Sequence, residues 1–159
     1  MLEKKEFYKI YLAGFFLLLI IASVFAALIF EKTKKDNYQK IVTLNLDTQV
    51  EENLTWNFYT INNSMKVRIG QLYKINFNVE NYGSLKSSGK AIYDVGPKLL
   101  KKYFVEIDCF CYKKQTLLPG EKSTYSITFY IDPKMINDSV LQNLNGMDVS
   151  YTFLDSKNG

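Results

Sequence analysis

The chain has 159 residues, a formal net charge of +4 and no histidine. Without an imidazole, Ser-His-Asp and Cys-His catalysis are excluded, as are His-rich zinc and blue-copper sites, because histidine is both the commonest general base and the commonest metal ligand. The 20 lysines and arginines include a single arginine, Arg68, and are scattered along the chain, which argues against a nucleic-acid partner.

Residues 1–9 form a short tail carrying Lys4, Lys5 and Lys9. From Ile10 to Phe30 the 21 residues IYLAGFFLLLIIASVFAALIF carry no charge. A helix of that length, rising ~1.5 Å per residue, spans about 30 Å, the hydrocarbon thickness of a bilayer. A cleavable signal peptide is the competing reading, with Val24-Phe25-Ala26 as a loose cleavage site. Its apolar region runs only about 7 to 15 residues, so a retained transmembrane anchor fits better. Lys32, Lys34, Lys35 and Lys40 follow the span. The bias across it is one lysine, which does not fix the side on which the rest of the chain lies. Residues 31–40, EKTKKDNYQK, read as a solvated linker.

About 120 residues remain, enough for one domain with its own core. The 12 tyrosines and 11 phenylalanines, with many Val, Ile and Thr, favour strands. Alternation is clearest at Tyr73, Ile75, Phe77 and Val79, and again at Tyr125, Ile127, Phe129 and Ile131. Weaker strands are expected at Ile41–Asp47, Leu54–Tyr59, Lys66–Gly70, Ser88–Tyr93, Phe104–Tyr112 and Val149–Phe153. Leu118-Pro119-Gly120-Glu121 is a type II turn sequence, with proline fixing one φ and glycine supplying a positive one. Asn81-Tyr82-Gly83-Ser84 and Ile131-Asp132-Pro133 are further stops. Residues 97–102 predict one helical turn, and residues 133–144 an irregular or briefly helical stretch. Seven or eight short strands so spaced predict an all-β antiparallel sandwich over residues 41–154, followed by a C-terminal tail, 155–159.

The two cysteines are Cys109 and Cys111, flanking Phe110. On a regular strand they project from one face with Cα atoms about 6.6 Å apart, an awkward placement for a disulfide and a good one for sharing a soft ion. Zinc and iron–sulfur clusters ordinarily take four protein ligands, whereas copper(I) tolerates few. Three readings stand side by side: a metal site, a labile redox disulfide, and inert core cysteines. Val105 and Ile107 share the cysteines' parity, which on regular alternation puts the thiols toward the core. A bulge near Asp108 would turn them to the surface. Glu106 and Asp108 are candidates for a solvated acidic face beside the thiols, opposed by Lys113 and Lys114. Met65, Met135 and Met147 could supply thioether sulfur, but methionines so scattered read more readily as packing residues.

The segment Tyr103-Phe104-Val105-Glu106-Ile107-Asp108-Cys109-Phe110-Cys111-Tyr112, continued by Gln115, Leu117 and Leu118-Pro119-Gly120-Glu121, resembles the signature of the copper-delivery proteins of cytochrome c oxidase assembly. Phe129-Tyr130-Ile131-Asp132-Pro133 and Val149-Ser150-Tyr151-Thr152-Phe153 match further on. Leu54-Thr55-Trp56-Asn57-Phe58 and Val67-Arg68-Ile69-Gly70 match upstream. The resemblance covers roughly residues 42 to 154 and implies an immunoglobulin-like sandwich behind one inner-membrane signal-anchor helix. It implies a domain on the periplasmic or mitochondrial intermembrane-space side. The implied role is that of a chaperone, not an enzyme, which delivers copper(I) to the copper B site of the oxidase's large subunit. Cys109 and Cys111 correspond to the copper ligands, and a copper-linked homodimer is expected. Two departures stand out. Members of that family usually carry a third cysteine shortly after the membrane helix, where residues 31–50 contain none, and Glu106 occupies a position often held by lysine. The rival readings are a membrane-tethered thiol oxidoreductase and an anchored scaffold module whose cysteines are incidental.

Overall fold

The structure is a computed structural model that describes residues 2–37, 40–139, 144 and 146–156. It divides into two compact units between residues 38 and 39. The first is a single helix, α1, Leu2–Asn37. Within it, Tyr11–Lys32 is long and apolar enough to cross a membrane, with a mean hydropathy of 2.8. The helix carries on through most of the expected linker, to Asn37. Glu31, Lys32, Lys34 and Lys35 are good helix formers, and neither glycine nor proline interrupts them.

The second unit is a β-sandwich. The strands are β1 Ile41–Val50, β2 Trp56–Tyr59, β3 Ser64–Arg68, β4 Tyr73–Asn81, β5 Ser87–Gly96, β6 Phe104–Cys109, β7 Gln115–Leu117, β8 Lys122–Ile131 and β9 Gly146–Asp155. One sheet has the order β3-β1-β9-β5-β7 and the other β2-β4-β8-β6. Every strand expected from alternation is present. β7, only three residues long, was not expected. Pairing is antiparallel except between β1 and β9, which run parallel from Thr43↔Gly146 to Val50↔Phe153. The first and last strands of the domain thus lie side by side.

The inward faces follow the period of two. Val42, Leu44 and Leu46 of β1, Ile75, Phe77 and Val79 of β4, and Ile127, Phe129 and Ile131 of β8 are all buried. From β9 come Met147, Val149, Tyr151 and Phe153, and Met135 packs with them, in keeping with a packing role for these methionines. Short 3₁₀ turns occupy Lys98–Tyr103 and Pro133–Asn137, where brief helix was expected. The end of the second stretch, residues 140–143, lies outside the described residues, as do residues 157–159 of the expected C-terminal tail. The turn after β7 has the expected form: Gly120 takes φ +73° and the Glu121 N–H donates to the Leu118 carbonyl at 3.1 Å. The adjoining loop is held by Asn81, fully buried, whose amide donates to the carbonyls of Leu85 and Leu117.

Candidate metal centre

Among the described residues β6 is an edge strand, paired with β8 alone. Phe104, Val105 and Glu106 face Ile131, Tyr130 and Phe129 in regular register. The register then shifts: Asp108 faces Thr128, Cys109 faces Ile127, and Ile107 has no partner of its own. That β-bulge reverses the parity of everything beyond it. Glu106 and Cys109, three residues apart, come to lie opposite the inward-facing Phe129 and Ile127. Ile107 turns out to solvent, 58% exposed. The expected bulge is present, but its effect is the opposite of the one anticipated. Without it the cysteines would share the outward face of Val105; with it, Cys109 is buried.

The strand then stops at Cys109, two residues sooner than expected. Phe110–Tyr112 is a 3₁₀ turn, and the backbone N–H of Cys111 donates to Cys109 Sγ at 3.1 Å. Turning instead of extending draws the two cysteine Cα atoms to 5.1 Å, closer than the spacing of a regular strand. The sulfurs are joined as a disulfide. Cys109 and Cys111 are 4% and 7% exposed.

Phe110 is what fastens this turn. Its ring inserts between the sheets, with centroids 5.5 to 6.0 Å from Phe58, Phe77, Tyr125, Tyr151 and Phe153. Tyr112 does the reverse and stands 60% exposed. An open cleft beside the turn is lined by Cys109, Phe110, Tyr112, Lys113 and Tyr125, so it reaches the first cysteine and not the second.

Glu106 does not belong to a solvated surface. It points inward and is half-buried, and the Tyr151 hydroxyl donates to its Oε1 at 2.5 Å. Its other oxygen, Oε2, lies 3.8 Å from Cys111 Sγ. Burial raises the Glu106 carboxyl above the ordinary carboxylate range, against the opposing pull of hydrogen bonds from Tyr151 and Tyr93. The Tyr151 hydroxyl is pushed far up by its own burial and by the Glu106 charge, so it stays protonated as a donor. Asp108 is exposed, as expected of it.

Donor atoms of Glu106, Cys109 and Cys111 all lie within 4.8 Å of one another, close enough for one metal ion. The disulfide excludes a metal ion on the same two sulfurs: thiolates able to ligate would exist only after the bridge is reduced. Sequence reasoning singled out both cysteines and noted Glu106 beside them. It missed that Glu106 faces inward, and it missed Tyr151, which comes from the other sheet.

The family model described as cytochrome c oxidase assembly protein CtaG/Cox11 matches residues 22–155. A cytochrome c oxidase assembly protein CtaG from Nitrobacter hamburgensis is 34% identical over 118 residues, which is 74% of this chain and 55% of that protein. One from Brucella ovis is 31% identical over 114 residues, 72% of this chain and 57% of that protein. The chain thus spans about half the length of the curated relatives it matches. Among solved structures, a PapD-like domain of human CEP192 aligns with 76% of this chain and 87% of its own, at 12% identity and a TM-score of 0.31, too slight a likeness to build on.

Proposed function

The chain belongs to the family of cytochrome c oxidase assembly proteins CtaG/Cox11, and from that premise we propose that it is a membrane-anchored carrier of copper(I) and not an enzyme. Cys109 and Cys111 are the ligands of the cargo, and the acceptor is the copper B site of the oxidase's large subunit. The observation that carries this reading is the Cys109-Phe110-Cys111 turn itself. It holds two sulfurs together, the first of them at a cleft, in a chain that offers no imidazole. Two thiolates satisfy copper(I), which tolerates few ligands, and leave it open to exchange.

Loading displaces a proton from each thiol, so it weakens as pH falls. Release proceeds by ligand exchange, with the acceptor's ligands arriving through the cleft at Cys109. α1 anchors the chain in the inner membrane with the sandwich on the periplasmic or intermembrane-space side. A donor tethered in the same bilayer as its acceptor acts at a raised effective concentration. Two copies joined through copper form the homodimer that the family resemblance implies.

The test is copper stoichiometry on the full chain in detergent, reduced and loaded without oxygen, beside the Cys109→Ser/Cys111→Ser double variant. Close to one copper per chain in the wild type and none in the variant is the expected result. Reduced wild type that yields all its copper to a modest competitor would overturn the carrier reading. A second reading, a membrane-tethered thiol oxidoreductase, is favoured by the Cys109–Cys111 disulfide. It expects two thiols per chain to cycle against a test disulfide with no metal present. If the double variant still supports oxidase assembly, the cysteines are incidental and the chain is a scaffold.

A further inference from the structure

We propose that the reduced site also takes a borderline divalent cation of the zinc(II) class, with Glu106 as its third protein ligand beside Cys109 and Cys111. The proposal shares the two thiols of the copper reading and goes beyond it in the third donor and in the metal that donor selects.

The geometry of the carboxyl carries the proposal. Tyr151 donates to Oε1 at 2.5 Å, which fixes the plane of the group and leaves Oε2 directed at Cys111 Sγ, 3.8 Å away. In the disulfide this sulfur has no proton to give, so that approach is not a hydrogen bond. A tetrahedral zinc ion, with bonds of about 2.3 Å to sulfur and about 2.0 Å to oxygen, requires an S···O edge of about 3.5 Å. The observed separation is within a few tenths of an ångström of it. The hydrogen bond from Tyr151 is the kind of outer support that orients a ligating carboxylate. Three protein donors leave the fourth position of a tetrahedral ion to water.

Charge decides which metal this donor favours. Copper(I) on two thiolates already carries a net charge of −1, and a carboxylate would make the half-buried site −2. A divalent ion with the same three donors carries only −1. Carboxylate oxygen is also a hard donor, suited to zinc(II) and poorly suited to copper(I). Glu106 therefore strengthens binding of a divalent ion and does little for copper(I), and zinc competes with copper for the same thiols.

The experiment uses the full chain in detergent. A water-soluble phosphine reduces the disulfide: it takes an oxygen from water, the S–S bond breaks, and two thiols form. The protein is then desalted without oxygen and titrated with cobalt(II), zinc(II) and copper(I). Cobalt(II) is expected to give sulfur-to-metal charge-transfer absorption and the strong visible bands of a four-coordinate ion. Replacing Glu106→Gln keeps an acceptor for Tyr151 and removes the charged ligand. It is expected to weaken zinc(II) binding about ten-fold or more while shifting copper(I) binding by less than about three-fold. Zinc-edge X-ray absorption of the wild type, which needs no variant, is expected to show two sulfurs and two light atoms. Equal zinc affinity in E106Q, equal weakening of both metals, or an all-sulfur zinc shell would each overturn the proposal. Wild type that binds zinc but not copper would overturn the copper reading and leave this one standing. Copper without zinc would do the reverse.

Discussion

β4 and β6 flank β8 in the same sheet, yet they meet it in different ways. β4 pairs over eight consecutive residues, from Tyr73↔Phe129 to Glu80↔Lys122, without a break. Its inward side chains come at every second position, and together they make a wall of the core. β6 keeps register for three pairs, skips Ile107, and resumes only to end at Cys109. In a regular strand, Glu106 and Cys109 would point to opposite faces. The bulge brings them to the same one, and the 3₁₀ turn adds Cys111. The unbroken strand supplies stability and the broken one places the chemistry, with Phe110 tying the second to the first.

The largest expected effect lies on the regular side. Phe77 of β4 is fully buried, and its ring lies 5.4, 5.6 and 5.1 Å from those of Phe58, Phe110 and Tyr151. Phe77→Ala should cost about 3–5 kcal/mol, as lost apolar burial and an unfilled cavity add together. Because Phe110 leans on the same ring, the cysteine turn should loosen along with the core. Chemical denaturation of the two proteins measures the cost. A loss below about 1 kcal/mol would mean that the wall does not need this strand as described.

The same contrast explains what could be read from sequence. β4 and β8 were legible because their apolar residues alternate without a break, and Gly120 because its turn demands a positive φ. The cysteine pair stood out through composition: two sulfurs, no histidine, one residue between them. β6 was misread in its direction because Val105 and Ile107 are apolar and in step with the cysteines. A bulge changes which face a residue takes without altering the pattern of residue types. The inward turn of Glu106 follows from that bulge. Its partner Tyr151 lies 45 residues away on the other sheet, so only long-range pairing brings them together. β7 is too short to display any period. α1 outran its expected end because a charged segment of good helix formers looks the same as a solvated linker.

A smaller effect tests the inward placement of Glu106. Burial raises its folded-state carboxyl above the ordinary value of 4.5, while Tyr151, Tyr93 and Lys101 pull it back. The folded chain therefore holds this proton more tightly than the unfolded chain. Its contribution to stability is fully present below about pH 4.5 and is lost as pH rises through the raised folded value. In the disulfide form, Glu106→Gln removes that loss, so the variant should gain on the wild type as pH rises. The gain stays below the cost of the core truncation because the carboxyl is only half-buried and water screens it. Denaturation of both proteins across a pH series checks the sign. Parallel profiles would place Glu106 back in solvent.

The smallest effect is the sharpest test of the bulge. Were β6 regular with the apolar stripe of Val105 and Ile107 turned inward, as its alternation suggests, Ile107 would be buried with Cys109 and truncating it would cost about 2–5 kcal/mol. With the bulge it has no cross-strand partner and stands 58% exposed, so Ile107→Ala should change stability by no more than about 0.5 kcal/mol. It should also leave metal loading at Cys109 and Cys111 unchanged, since its side chain faces solvent while theirs are buried. Denaturant midpoints of the wild type and variant suffice to decide. A cost of 2 kcal/mol or more would put Ile107 in the core and replace the bulge with a regular strand whose apolar stripe faces inward. The approach of Glu106 to Cys111 depends on that bulge, so a nearly silent substitution here is what the site's geometry requires.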